Sequence, residues 1–221
     1  MIRGLFITGT DTGVGKTHVA AAVLAELRRR GVKAAAFKPI ACGEGGRQDA
    51  KIYSGLMQNE VPLDLINPIF LHLPLAPSVA ANLERRTINV TRIFESYKML
   101  SSLYSVVLVE GAGGLLVPIK PNYFVADLAK ELRLPLLIVA RLGLGTINHT
   151  LLTVHEARAR GLKVRGIVLN DTLGRKRGLA ERTNIKVVPK SCGAPLLGVM
   201  PHGPRGVHAV ANRICRLLFH Q

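Results

Sequence analysis

The sequence predicts a doubly wound α/β fold, in which helices cover both faces of a mostly parallel sheet. Short apolar runs alternate along the chain with longer segments of helical period. Runs such as 106–109, Val-Val-Leu-Val, are apolar at every position, as expected for parallel strands covered on both faces. A length of 221 residues with 48% hydrophobic residues suffices for one buried core, so we predict a single domain over residues 1–221.

The predicted strands and helices follow one another in pairs. In the first part of the chain, strands at 5–8, 34–38 and 106–110 precede helices at 17–30, 49–57 and 125–132. In the second part, the strands are at 136–140, 166–170 and 197–200, with helices at 148–160 and 207–219. Gly31 follows three arginines and predicts the end of the first helix. The proline-rich stretch 61–86 is expected to cross the edge of the sheet.

The charge balance is strongly basic, with a formal net charge of +16 at pH 7. A basic surface attracts polyanions such as nucleic acids, acidic lipids or phosphorylated substrates. The basic clusters, for example 28–30 and 175–177, lack interleaved aromatic residues, and aromatics make up 5% of the chain. We therefore expect a solvated basic surface that steers anionic substrates, and we do not expect a nucleic-acid partner.

The cysteines and the N-terminal sequence indicate a cytoplasmic protein. Cys42, Cys192 and Cys215 are odd in number and include no Cys-x-x-Cys pair, which argues against a disulfide framework and a zinc site. The sequence starts with a short apolar strand rather than a signal peptide, and its longest apolar runs are too short for a bilayer. We expect no membrane partner.

A glycine-rich segment at 9–17, Gly-Thr-Asp-Thr-Gly-Val-Gly-Lys-Thr, joins the first predicted strand to the first helix. Backbone N–H groups and a helix N-terminus surround phosphate oxygens in such a loop, so we predict a P-loop NTPase architecture. Lys16 is expected to contact the β- and γ-phosphates of ATP, and Thr17 to bind Mg²⁺. The strict pattern has glycine where this chain has Thr10, and the alternative is a glycine turn with a solvent-facing lysine. The nucleotide-binding residues predicted in this segment and directly after it are Gly13, Val14, Gly15, Lys16, Thr17 and His18. His18 is expected to be an ordinary helix position rather than a catalytic base.

Two acidic residues and a second lysine are predicted to lie near this loop. Glu110 ends an apolar strand, where a carboxylate costs desolvation free energy unless a cation offsets it. Mg²⁺ is the favoured cation, and a buried salt bridge is the alternative. Asp49, which starts a predicted helix, is the nearest acidic candidate for a second metal or nucleotide contact. Lys38 closes a strand before Pro39, so its ammonium should face the crevice at the strand ends or, alternatively, extend into solvent.

Several motifs, in order and with the right spacing, resemble the dethiobiotin synthetase family. They are Gly-Thr-Asp-Thr-Gly-Val-Gly-Lys-Thr at 9–17, Lys-Pro-Ile at 38–40 with Gly43, Glu-Gly-Ala-Gly-Gly at 110–114 and Ile-Asn-His at 147–149. Asn-Asp at 170–171 and Gly-Val-Met-Pro at 198–201 extend the resemblance over most of the chain.

The resemblance implies an ATP- and Mg²⁺-dependent ligase of biotin biosynthesis. It would close a ring from 7,8-diaminononanoate and CO₂, supplied as bicarbonate, and release dethiobiotin, ADP and phosphate. One substrate amine would form a carbamate, the carbamate would attack the γ-phosphate, and the second amine would displace phosphate from the mixed anhydride. The resemblance also implies a homodimer with shared active sites.

The resemblance also implies a role for individual residues. Thr17, Asp49 and Glu110 would hold Mg²⁺, and Lys38 and Lys16 would be the catalytic residues, since cations must neutralise both the carbamate and the triphosphate. Outside the loop, the implied nucleotide-binding residues are Asp49, Glu110, Gly111, Ala112, Gly113, Asn170, Asp171, Pro201, His202 and Gly203. The implied substrate-binding residues are Thr12, Cys42, Thr146, Ile147 and Asn148. Cys42 departs from the family, which usually has serine there, and a thiol is the weaker hydrogen-bond donor.

Two other classes of protein share this type of loop. Enzymes of the cobyrinic acid synthetase group use a similar ATP site, but they typically carry a further glutamine-amidotransferase domain, for which 221 residues leave no room. Partition ATPases of the ParA or MinD type would use a basic surface on DNA or on a membrane. Their loop normally has an extra lysine where this chain has Asp11.

Overall fold

Six parallel strands form the central sheet, described here from a computed structural model of residues 4–219 other than Glu44 and Gly46. In chain order the elements are β1 (Gly4–Gly9), α1 (Lys16–Arg29), β2 (Ala34–Phe37), β3 (Ile40–Cys42), α2 (Gln48–Leu56), α3 (Leu63–Ile66), β4 (Ile69–Leu71), α4 (Pro77–Leu83), α5 (Val90–Leu103), β5 (Val106–Gly114), β6 (Pro118–Lys120), β7 (Tyr123–Phe124), α6 (Val125–Glu131), β8 (Leu136–Arg141), α7 (Thr146–Ala159), β9 (Val164–Asn170), α8 (Leu179–Cys192), β10 (Leu196–Met200) and α9 (Val207–Phe219). The order across the sheet is β10-β9-β8-β1-β5-β2.

The predicted doubly wound fold is confirmed. Each of the six predicted strands corresponds to a strand of this sheet, and all neighbouring pairs are parallel. The strands β1, β2 and β8 are buried along almost their whole length because helices pack on both faces. Gly31 follows the end of α1 with φ at +75°, which confirms its predicted role as a helix stop.

Four helices were not among the predicted elements, namely the short α3 and α4 within the stretch 61–86 and the longer α5 and α8. Helix α5 does carry an apolar helical period, with Ile93, Tyr97 and Leu100 packed on the core, so the prediction missed it although a local signal was present. In α8 the helix contains Pro189, which normally interrupts a helix. Tertiary contacts stabilise α8. Asn184 Nδ2 donates hydrogen bonds of 2.9 Å to the carbonyl oxygens of Leu142 and Gly143, which lie after β8. Within the described ranges, the helices are all too short or too polar to cross a membrane.

The prediction for the strand before the glycine run 111–114 was wrong in one respect. The strand β5 continues to Gly114, so Glu110 lies inside the strand and not at its end. The glycines allow this continuation, because a β-carbon at Gly111 would lie 2.8 Å from the ring of Phe6. The stretch 61–86 does stay outside the central sheet, since β4 pairs with β3 in a separate two-stranded sheet.

The position of β1 fixes where a ligand can bind. β1 lies between β5 and β8, although the chain first runs from β1 to β2 at the edge of the sheet. Ligands of such sheets bind outside the carboxyl ends of the strands, where the strand order reverses. Ile7 of β1 lies opposite Glu110 of β5, so the loop after β1 faces the acidic residue of the neighbouring strand.

A buried carboxylate, Glu26, ties α1 to α9. It is 3% exposed. Its Oε2 accepts a hydrogen bond from Arg29 Nε at 2.9 Å, and its Oε1 accepts one from Arg30 Nε at 2.5 Å. His208 of α9 places Nδ1 2.8 Å from Glu26 Oε2. The hydrogen bond from Arg29, with help from Arg30, lowers the pKa of Glu26 from 4.5 to about 2.

This shift predicts an acid-dependent loss of stability. Because the folded-state pKa is depressed, the contribution of Glu26 is complete above pH 4.5 and is lost as the pH falls towards about 2. We expect the Tm of the wild type to exceed that of Glu26→Gln near neutral pH and the difference to shrink below pH 4.5 until the two converge near pH 2. Calorimetry over this range tests the prediction, and a Tm difference that is independent of pH would contradict it.

Candidate active site

A cavity of about 750 Å³ lies at the carboxyl ends of β1, β2 and β5. Its polar lining includes Thr12, Lys16, Thr17, Lys38, Asp49 and Glu110. These residues come from the loop after β1, from the start of α1, from the residue after β2, from α2 and from β5. The sheet order therefore brings together the charged residues that the sequence predicted for one crevice.

The segment 9–17 forms the predicted strand–loop–helix unit. Gly13 and Gly15 have φ of +72° and +91°, a region in which glycine avoids the steric cost of a side chain. Lys16 is 7% exposed, and its Nζ donates to the carbonyl oxygen of Asp11 at 3.1 Å, so this lysine does not face solvent. Burial, with repulsion from Lys38, lowers the pKa of Lys16 to about 8, and its ammonium remains protonated at neutral pH.

Asn170, at the end of β9, stabilises the phosphate loop through a side-chain hydrogen bond to the loop backbone. Its Nδ2 donates a hydrogen bond of 2.9 Å to the carbonyl oxygen of Val14, and the side chain is 3% exposed. A β-carbon at position 15 would lie 1.9 Å from that nitrogen. Glycine at position 15 therefore allows both the left-handed backbone and the close approach of Asn170.

Alanine substitutions at the two loop glycines should differ in cost. Gly13→Ala meets no atom within 4 Å and should lose about 1–2 kcal/mol of unfolding free energy from its backbone conformation. Gly15→Ala should lose about 1–3 kcal/mol more, because its methyl group overlaps Asn170. Urea denaturation of both variants measures the difference, and equal losses would contradict the proposed contact.

Lys38 lies between two carboxylates. Its Nζ is 2.6 Å from Glu110 Oε1 and 2.7 Å from Asp49 Oδ2. Thr17 Oγ1 lies 2.9 Å from Asp49 Oδ1 and 3.0 Å from Glu110 Oε1. The side chain of Lys38 lines the cavity and does not extend into solvent, while Glu110 forms the buried salt bridge that was the alternative interpretation of its position.

The charges in this cluster stabilise one another. Burial alone would lower the pKa of Lys38, but Glu110 and Asp49 outweigh it and raise the pKa above its ordinary value. Burial would likewise raise the pKa of Asp49, but Lys38 and the hydrogen bond from Thr17 hold it below its ordinary value. Lys38 is therefore a cation and Asp49 an anion at neutral pH.

The donor set around Thr17 fits Mg²⁺. One hydroxyl and two carboxylates converge, and hard oxygen ligands of this kind are the ones that Mg²⁺ prefers. The set adjoins the N-terminus of α1, where backbone N–H groups favour a phosphate. Thr17, Asp49 and Glu110 are thus able to bind a metal ion beside a bound triphosphate.

A further group at this cluster, Tyr53, was missed by the sequence analysis. Its hydroxyl donates to Glu110 Oε2, and the side chain is fully buried. Tyr53 follows Asp49 by four residues in α2, so both point from one face of the helix. That spacing was the available signal, but an apolar-looking tyrosine in a helix is more often part of a core.

Some of the other predicted residues line the cavity, and others lie outside it. The cavity is lined by Cys42, Ala112 and Gly113, whereas Gly111 is buried against Phe6. Asp171 and the segment 201–203 lie where β9 and β10 end, since the N–H of Asp171 donates to the carbonyl oxygen of Met200 at 2.9 Å. His202 packs against Gly174. His18 is half-buried in the first turn of α1.

Thr146, Ile147 and Asn148 form the first turn of α7. Thr146 is buried, with its Oγ1 3.4 Å from Thr150 Oγ1, and Asn148 is exposed. These three residues are not among the described residues that line the cavity of this chain.

A family model described as an AAA domain matches residues 3–207. An ATP-dependent dethiobiotin synthetase from Bacillus licheniformis is 44% identical over 204 residues, which cover 90% of this chain and 86% of the relative. A second, from Thermodesulfovibrio yellowstonii, is 39% identical over 215 residues, which cover 91% of this chain and 90% of the relative.

Solved structures with the same fold include a cell-division ATPase. The MinD protein of Aquifex aeolicus superposes with a TM-score of 0.60 over 99% of this chain and 98% of its own, at 16% identity. The MinD protein of Pyrococcus furiosus gives 0.58 over 98% of this chain and 100% of its own, at 18% identity. At such low identity the likeness is one of fold alone.

Proposed function

This chain belongs to the ATP-dependent dethiobiotin synthetase family, and we infer from its membership that it closes the ureido ring of dethiobiotin from 7,8-diaminononanoate, CO₂ and ATP. The observation that carries this inference is the cluster of Lys38, Asp49 and Glu110 beside the phosphate loop, within one cavity. The chain has the cations that two anionic reactants require, at the place where an α/β sheet binds its ligand.

The reaction has three steps. One amine nitrogen of the substrate adds to the carbon of CO₂ and loses a proton, which gives a carbamate. A carbamate oxygen then attacks the γ-phosphorus, and the bond to the bridging oxygen breaks with release of ADP. Finally the second amine nitrogen attacks the carbamoyl carbon, phosphate leaves, a proton is lost and the ring closes.

The second step brings two anions together, and we propose that two lysines make this possible. Lys16, at the start of α1, would contact the transferring phosphate, since it lies within the phosphate loop and keeps its proton at neutral pH. Lys38 would contact the carbamate and stabilise the charge that moves towards the phosphate. Mg²⁺ held by Thr17, Asp49 and Glu110 would neutralise charge on the β- and γ-phosphates.

We propose that the diamine lies against Thr12 and Cys42. Both line the cavity that also contains Lys38. Burial raises the pKa of Cys42 to about 11, so the side chain is a neutral thiol at physiological pH. This supports a contact role for Cys42 in place of the family's usual serine and argues against a nucleophilic one.

We propose that the adenine ring lies near the ends of β9 and β10. Asn170 Oδ1 is buried and has no hydrogen-bond partner among the described residues, which leaves it free to accept from the adenine amino group. Asp171 and the backbone of 201–203 adjoin Asn170 through the pairing of β9 with β10.

We also propose a cytoplasmic homodimer. Leu144 precedes α7 and Leu152 lies in its second turn, and they are 87% and 62% exposed, as expected of a surface that a partner covers. A partner that brings its own α7 N-terminus to the cavity would supply an anion site for the substrate carboxylate. Light scattering should give about twice 23.9 kDa, and a monomer mass would rule out the dimer.

The three cysteines are free, which suits a reducing compartment such as the cytoplasm.

The deciding assay combines the protein with ATP, Mg²⁺, bicarbonate and 7,8-diaminononanoate. Phosphate release is followed in solution, and dethiobiotin is detected by mass spectrometry. We expect product when all reactants are present and none when diamine, bicarbonate or ATP is left out. Hydrolysis of ATP that does not depend on the diamine and yields no dethiobiotin would overturn the proposed function.

A further inference from the structure

We propose that Tyr53 is a positioning residue that holds the Glu110 carboxylate in the orientation needed for metal binding. The two oxygens of that carboxylate have different partners. Oε1 is 2.6 Å from Lys38 Nζ and 3.0 Å from Thr17 Oγ1, whereas Oε2 accepts the hydrogen bond from the Tyr53 hydroxyl. Tyr53 thus contacts the oxygen that the lysine and the threonine do not.

The chemistry of the contact indicates that it is strong. Tyr53 is 0% exposed and Glu110 is 2% exposed, so water does not compete for either group. A buried hydroxyl without a partner costs free energy, and a hydrogen bond to an ionised carboxylate is about twice as strong as one between neutral groups. The phenol O–H is the donor of this contact and the carboxylate oxygen is the acceptor.

Helix α2 links this contact to Asp49, the second carboxylate of the cluster. Asp49 and Tyr53 lie one turn apart on the same face of α2. Asp49 places its own oxygens 2.7 Å from Lys38 Nζ and 2.9 Å from Thr17 Oγ1. One helix therefore fixes both carboxylates of the cluster, Asp49 directly and Glu110 through the tyrosine hydroxyl.

Loss of the hydroxyl should free the carboxylate to rotate about its last torsion. Groups that orient the ligands of a metal typically contribute about 10- to 100-fold to metal affinity. For Tyr53→Phe, which keeps the ring and its packing, we expect metal affinity to fall by about tenfold, the low end of that range. The turnover at saturating Mg²⁺ should change little, because the reacting groups are still present.

The inference rests on the metal site of the proposed function, and the experiment separates the two. Mn²⁺ serves as the probe, and its binding to the full-length protein with ADP is followed by the electron paramagnetic resonance signal of free Mn²⁺. The variants are Tyr53→Phe, Glu110→Gln and the double substitution. Tyr104→Phe is the matched control, since its hydroxyl donates to Glu60 at 3.0 Å on the surface.

We expect Tyr53→Phe to raise the Kd of Mn²⁺ by about tenfold and Tyr104→Phe to leave it unchanged. In the Glu110→Gln background, the loss of the Tyr53 hydroxyl should have little further effect, because the two residues act through one contact. The Mg²⁺ dependence of turnover should shift by a similar factor.

Two results would overturn the inference. In the first, Glu110→Gln weakens Mn²⁺ binding but Tyr53→Phe binds Mn²⁺ like the wild type. The metal site then stands, and Tyr53 is a packing residue whatever the Tm of the Tyr53→Phe variant. If Glu110→Gln also binds like the wild type, or the wild type binds no Mn²⁺ with ADP, the metal assignment fails and the role of Tyr53 fails with it.

Discussion

Replacing Lys38 by alanine is expected to lower turnover by about 10²- to 10³-fold, the usual cost of removing one preorganised group that stabilises transition-state charge. ATP binding should be largely intact, because the phosphate loop and Lys16 lie on other elements. The reason for the loss is that Lys38 is the cavity-lining cation between Asp49 and Glu110, with its charge maintained by both. Single-turnover measurements with saturating ATP, combined with titration calorimetry of nucleotide binding, separate the two effects.

Lys51→Ala is the control for this experiment. Lys51 is an exposed lysine of α2, two residues from Asp49, and does not line the cavity. Its loss changes the net charge as much as the loss of Lys38 does, so any difference between the variants is due to position. Turnover of Lys38→Ala at the level of Lys51→Ala would remove Lys38 from the mechanism.

Glu110→Gln is expected to shift the Mg²⁺ dependence of turnover to higher concentration by about 10- to 100-fold. The substitution keeps the shape of the side chain but removes a charge that is 2.6 Å from Lys38 Nζ. It also leaves Lys38 with Asp49 as its remaining close carboxylate, so the Tm should fall. The measurement is turnover against total Mg²⁺ at constant ATP, together with thermal unfolding.

Glu95→Gln provides the matched control, because Glu95 is an exposed carboxylate of α5. It should follow the wild-type Mg²⁺ curve. An unchanged curve for Glu110→Gln would show that Glu110 serves the salt bridge with Lys38 and not the metal.

Some features of the fold and of the site could be predicted because their signals are local. The six sheet strands were visible as apolar runs, and the phosphate loop was visible as a glycine pattern between a strand and a helix. Helix α8 lacked a clear signal, because it contains Pro189, whereas α5 was missed although its apolar residues follow a helical period. The stability of α8 comes from tertiary contacts that no short window of sequence contains.

The residues of the candidate site likewise include some that the sequence indicated and some that it did not. Lys16, Thr17, Lys38, Asp49 and Glu110 could each be proposed from a loop, a strand end or a helix start, and the family resemblance added Asn170. The resemblance implied that Asn170 reads the adenine edge, whereas its contact with the carbonyl oxygen of Val14 became visible in the structure alone. Tyr53 could not be separated from an ordinary core tyrosine until its hydroxyl was seen beside Glu110.

The sequence by itself determined the fold class, the phosphate loop and the family, since each depends on residues that are close together along the chain or on motifs in register. The tertiary structure decided which of these residues meet. Lys38 and Glu110 are 72 positions apart, and they form an ion pair because β5 lies between β1 and β2 in the sheet. Strand order and the face that α2 turns towards the site depend on packing across the whole fold, and that packing sets the charge, the orientation and the partners of each group in the candidate site.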